Sequence, residues 1–134
     1  MSTKIFVNLP VRDLQKSVHF FTELGYGFNA QFTDEHAKSM VVSDDIIVML
    51  LDEGRFSDFI TEQICDTATH TEVILGLSAE SRAEVDDMVG KALAAGAQPA
   101  GEPMDHGFMY GRSFQDLDGH LWEFVWMDPA AIES

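Results

Sequence analysis

The chain has 134 residues and a formal net charge of −15, from 23 Asp+Glu against 8 Lys+Arg. That length suits one domain, or two small half-domains sharing a core. A content of 46% hydrophobic residues excludes a disordered chain, and the acidity argues against nucleic acid and anionic membranes, which need Lys and Arg.

The charge itself reads first as a solubility feature. Cys65 is the single cysteine, so no internal disulfide forms, and it reads as a small buried hydrophobe. No apolar run approaches the roughly 20 residues of a membrane span. The start, Met1-Ser-Thr-Lys-Ile-Phe-Val-Asn8, lacks a signal-peptide core. A cytoplasmic location is the expectation.

Ile5, Val7 and Leu9 alternate with Phe6 and Asn8, which predicts a strand covered on both faces and ended by Pro10. Asp13 is a helix N-cap, Leu14, Val18, Phe21 and Leu24 share one helical face, and Gly25 is the stop. Strands follow over 27–33, 38–43 and 46–51, the last two joined by a tight turn at Asp44-Asp45. A polar connector, 53–69, holds a helical turn around Phe56, Phe59 and Ile60.

The pattern then restarts. A strand is predicted over 72–77, a capping box at Ser81-x-x-Glu84, and a helix with the stripe Val85, Met88, Val89, Ala92 and Leu93, stopped by Gly96. Strands are predicted over 98–103, 108–114 and 120–127, with Asp118-Gly119 as the last hairpin turn. The caps Asp13 and Ser81 lie 68 residues apart, an offset that matches Phe6 with Ile74 and Asn8 with Gly76. The closing turns, Asp44-Asp45 and Asp118-Gly119, lie 74 apart and match Met49 with Glu123. The expected fold is α+β: two β-α-β-β-β modules forming a curved, mostly antiparallel sheet, helices outside and a concave groove inside. Module one covers 1–52, the connector 53–70 and module two 71–128, within one domain of 1–134.

Two segments carry a family resemblance. Asn8-Leu-Pro-Val-Arg-Asp-Leu-Gln-Lys-Ser17 with Phe20-Phe-Thr-Glu-Leu-Gly25 resembles the strand-to-helix opening of the vicinal oxygen chelate superfamily, which includes glyoxalase I, bleomycin-resistance proteins and extradiol dioxygenases. Phe114-Gln-Asp-Leu-Asp-Gly-His-Leu-Trp-Glu-Phe124 resembles its closing hairpin, with Leu117 where that motif has proline. The resemblance implies a homodimer and a groove holding a divalent metal, with ligands on the first and last strand of each module. The implied positions are Phe6, Met49, Ile74 and Glu123, of which Glu123 alone is a plausible ligand for such a metal. A register slip of two brings in Asn8 and Glu72. A stable catalytic site needs about three protein ligands, so the expectation is a metal-free protein that holds an apolar or aromatic metabolite. The alternative is a lyase or dioxygenase using Ni, Zn, Mn or Fe on Glu123 with Glu72, Asn8 or a histidine.

Glu123 alternates with Trp122 and Phe124, so it is expected on the face away from them, as a functional carboxylate, a general base, or a partner of Arg112. Tyr110 and Arg112 share a face and are candidates for holding a ligand, as are Asn8 and Met49. His106 sits in a turn-rich loop beside Asp105 and is a candidate for the groove mouth. His120 shares parity with Trp122 and is expected to be structural. His19 and His36 are expected in solvent.

Overall fold

A computed structural model describes residues 3–132. Its first strand, β1 (Ile5–Val11), runs through Pro10, which pairs with Leu51, instead of stopping there. Position explains the difference. β1 is the edge of its sheet, bonded only to β4 (Ile46–Asp52), and an edge tolerates a residue with no N–H to give. α1 (Leu14–Glu23) begins at Asp13, whose side chain accepts the Lys16 N–H at 3.2 Å. It buries Leu14, Ser17, Phe20 and Phe21, the two rings meeting edge to face. β2 (Gly27–Asp34) and β3 (Ala37–Ser43) complete a four-stranded sheet of order β1-β4-β3-β2, with β1 parallel to β4 and the other pairs antiparallel. Leu9, Val11, Met40, Val48 and Leu50 form its buried face.

The chain falls into two compact units, Met1–Cys65 and Asp66–Ser134. The first unit closes with α2 (Glu53–Ser57), started by Asp52, whose Oδ1 accepts the Arg55 N–H at 2.8 Å. The helix reaches Phe56, while Phe59 is 72% exposed.

The second unit repeats the order. β5 (Ile74–Ser78) starts two residues later than the alternation predicts. α3 (Arg82–Ala94) starts at Ser81, whose Oγ accepts the Glu84 N–H at 3.0 Å. Its Val85, Val89 and Ala92 are buried with Phe114, Trp122 and Phe124 of the sheet. The single strand predicted over 98–103 is instead two fragments, β6 (Gln98–Pro99) and β7 (Met104–Asp105). Gly101, at φ +76°, and the N–H-less Pro103 interrupt the ladder between them. β8 (Met109–Gln115) and β9 (Leu121–Met127) form the closing hairpin, and a short α4 (Pro129–Ile132) follows. The order is β5-β9-β8-β6, with β7 also on β8 and β5 parallel to β9. Each module thus joins its first strand to its last in parallel, as the internal repeat requires. Among the described residues, no helix is long and apolar enough to cross a membrane.

His36 is not a bare solvent residue: its Nδ1 lies 2.5 Å from Asp52 Oδ2. The carboxylate beside it raises the imidazole above its usual range, and the Arg55 N–H followed by His36 lowers the Asp52 carboxyl. A raised histidine stabilises fully below its unfolded value of 6.5 and loses that contribution as pH climbs through the folded value. A lowered aspartate stabilises above its unfolded value of 3.8 and loses that as pH falls. The melting-temperature advantage of the wild type over His36→Gln is therefore expected to peak between pH 3.8 and 6.5 and shrink above it. An advantage that grows as pH rises above 6.5 in thermal melts contradicts the pairing.

Candidate functional site

In the first unit, Leu9 and Val11 take the buried face of β1, so Phe6 and Asn8 take the other. Asn8 stands opposite Met49, and Met49 opposite Ser39. Phe6 stands opposite Ile47, and Ile47 opposite Val41. These six ladder positions carry no titratable side chain. Asn8 Nδ2 donates only to its neighbour, the Phe6 carbonyl, at 3.3 Å. Phe6 is 58% exposed.

In the second unit, Trp122 and Phe124 lie buried on the α3 side, which sends Glu123 to the open face. Gly76 stands opposite Glu123 on one side and Ser113 on the other. The Asn8–Met49 pair of module one and the Gly76–Glu123 pair of module two occupy matching registers, so the offsets of 68 and 74 are reproduced. A Cβ built on Gly111 would lie 3.8 Å from Glu123 Oε1, while one on Gly76 meets nothing within 4 Å. Both neighbouring strands therefore leave the carboxylate uncovered. Among the described residues, no hydrogen bond or ion pair engages it.

Tyr110 and Arg112 do share a face, but it is the α3 face, because Arg112 stands opposite Phe124. Arg112 pairs with Asp86 of α3 at 3.0 Å, not with Glu123, and Tyr110 donates to the same carboxylate at 2.6 Å. The Tyr110 hydroxyl, then Arg112, hold Asp86 below the ordinary carboxylate range. Arg82 completes this cluster. Its guanidinium meets Asp105 at 2.9 and 2.8 Å, donates to the Gly107 carbonyl, and lies over the Tyr110 and Trp126 rings. Alternation along one strand cannot foresee contacts that join a helix, a loop and two strands. His106 is exposed in the 106–108 loop and stacks against Phe108, with ring centroids 6.3 Å apart.

Glu72 is likewise engaged elsewhere. It meets Nδ1 of His120 at 2.8 Å, and that histidine is 1% exposed. Beside it, Asp116 accepts the N–H groups of Asp118 and His120 at 2.9 and 3.0 Å and the Trp122 indole at 2.9 Å. Burial holds the Asp116 carboxyl above the ordinary range, while His120 and these donors draw it back. Asp118 is also buried, and the Thr67 hydroxyl donates to its carbonyl.

The family metal can be tested against this donor set. Phe6, Met49 and Ile74 offer no oxygen or nitrogen, Asn8 offers a neutral amide, and Glu72 is held by His120 on the buried side. Glu123 is left as one carboxylate, and no group of three or more His, Cys, Asp or Glu among the described residues could hold a metal. These residues do not fit the family's metal centre.

The repeated β-α-β-β-β order, its parallel first-to-last pairing and the closing Asp-Gly hairpin define a class. The chain belongs to the Glyoxalase/Bleomycin resistance protein/Dioxygenase superfamily, whose profile matches residues 5–124. It is similar to the hypothetical protein SA1046 from S. aureus, with 30% identity over 94% of this chain and 95% of that one and a TM-score of 0.79. A family enzyme from Burkholderia phytofirmans PsJN shares the fold at 14% identity, covering 94% and 99% of the two chains, with a TM-score of 0.77. The fosfomycin resistance protein FosX from Listeria monocytogenes shares it at 20% identity, covering 94% and 91%, with a TM-score of 0.67. No curated protein matches the chain.

Proposed function

We propose that this protein binds a small apolar or aromatic metabolite on the open face of its second sheet, and does so without the family's divalent metal. One observation carries the reading: of the positions where the family places ligands, Phe6, Met49 and Ile74 are apolar and Glu123 alone is an oxygen or nitrogen donor. Exposed apolar side chains supply the other half of it. Ile74 is 59% exposed, and Met104 and Met127 are each 38% exposed, all on the Glu123 side of the second sheet. Methionines make such a surface adaptable. The resemblance also implies a homodimer, which light scattering on the purified protein tests.

Elemental analysis of purified protein, followed by thermal-shift titration with Ni, Zn, Mn and Fe(II), tests the metal half. The expected result is no stoichiometric metal and no shift at micromolar metal. A stoichiometric metal that Glu123→Ala loses overturns the reading and favours a metal-dependent lyase or dioxygenase. Calorimetric titration with 1-naphthylmethanol tests the ligand half. Saturable binding weakened by Ile74→Ala or Met127→Ala supports it, and no binding removes it.

A further inference from the structure

The geometry points to an apolar or aromatic amine as the class of ligand, with its ammonium on the Glu123 carboxylate and its apolar body along the neighbouring strands of the second module. This deepens the apolar-ligand reading above and rests on it. Glu123 sits between Gly76 and Ser113 in the ladder, with Ile74, Leu121 and Val125 next to them along the same face. The slot beside the carboxylate is open because Gly76 has no side chain and a Cβ there would meet nothing within 4 Å. Gly111 leaves the other flank low enough for the carboxylate to extend over it.

The cations of this module are all engaged elsewhere. Arg82 is clamped to Asp105 and the Gly107 carbonyl, Lys91 pairs with Asp87 at 3.0 Å along α3, and Arg112 pairs with Asp86. Of its histidines, His120 meets Glu72, His70 meets the Thr69 hydroxyl and His106 stacks on Phe108. A half-buried carboxylate has lost part of its hydration and gains most from a counter-charge. A divalent metal would need about three donors. An ammonium is satisfied by one carboxylate and a nearby oxygen such as Ser113 Oγ, while an anionic ligand would meet repulsion. The net charge of −15 favours cations from a distance in the same sense.

Three probes of one shape separate the possibilities: 1-naphthylmethylammonium, 1-naphthylmethanol and 1-naphthylacetate, titrated calorimetrically at physiological salt. The cation is expected to bind about tenfold more tightly than the neutral probe, and the anion more weakly than either. Glu123→Gln should erase the cation's advantage and leave the neutral probe unchanged. Gly76→Ala, which the open space admits without strain, should weaken the cation and neutral probes alike by filling the slot. Glu84→Gln removes the same charge from the exposed first turn of α3 and should leave the preference intact. Equal binding of cation and neutral probe overturns the amine assignment while the apolar reading stands. So does a preference lost equally in Glu84→Gln, which assigns it to bulk charge. Failure of all three probes to bind removes the apolar reading itself.

Discussion

Asp116→Ala is expected to lower the unfolding free energy by about 3–5 kcal/mol, the largest loss from any single polar side chain in the second unit. The carboxylate accepts two main-chain N–H groups and the Trp122 indole, and both Asp116 and Trp122 are at most 5% exposed. Truncation leaves three donors without an acceptor in a place water does not reach. Each such orphan costs about 1–3 kcal/mol, and the three share one network, so their costs do not simply add. Asp116→Asn keeps one acceptor oxygen but turns an amide N–H₂ toward one of the donors, so it should recover only part of the loss. Trp122→Phe removes one donor, and combined with Asp116→Ala it should cost less than the sum of the two single changes. Urea unfolding followed by tryptophan fluorescence reads all four variants. A loss below about 1 kcal/mol in Asp116→Ala would show that the network is dispensable.

Gly119→Ala should cost about 2–4 kcal/mol, from two separable sources. Gly119 holds φ +82°, where a side chain is strained whatever the space. Its Cβ would also stand 2.8 Å from Thr67 Oγ1 and 3.2 Å from the Thr67 carbonyl oxygen. Gly107 offers the control, because it holds nearly the same φ, +81°, with nothing within 4 Å. Gly107→Ala should therefore show the backbone strain alone, about 1 kcal/mol. The excess in Gly119→Ala measures the collision with Thr67. Adding Thr67→Ala removes the nearest atom and should return part of that excess, although it also removes the hydroxyl that donates to Asp118. Equal melting temperatures for Gly119→Ala and Gly107→Ala would show that Thr67 yields freely. The connector residue Thr67 thus helps make the closing Asp-Gly turn glycine-specific.

The candidate site was partly readable along the chain. Alternation assigned Glu123 to the face away from Trp122 and Phe124, because those two neighbours are too large and apolar to be anywhere but under a helix. For Tyr110 and Arg112 alternation leaves the choice of face open. Parity shows that two residues share a face, but which face depends on how strand β8 registers against β9. That register depends on the length of the turn over 116–120, which sets Arg112 opposite Phe124. A turn one residue different would have sent Arg112 to the side of Glu123. Asp116 was missed for a related reason. Nothing local marks this aspartate, because only the fold brings an indole and two N–H groups onto it.

By itself the sequence determined the doubled β-α-β-β-β order, since the caps Asp13 and Ser81, the stops Gly25 and Gly96, and the apolar spacings act within a few residues of chain. It also determined what is missing, because Phe6, Met49 and Ile74 have no side-chain oxygen or nitrogen in any conformation. The tertiary structure alone decided that Pro10 lies inside an edge strand, that Glu72 is taken by His120, and that the module's cations lie away from Glu123. Those outcomes depend on which strands become neighbours and in what register, a matter of long-range pairing that no local spacing records.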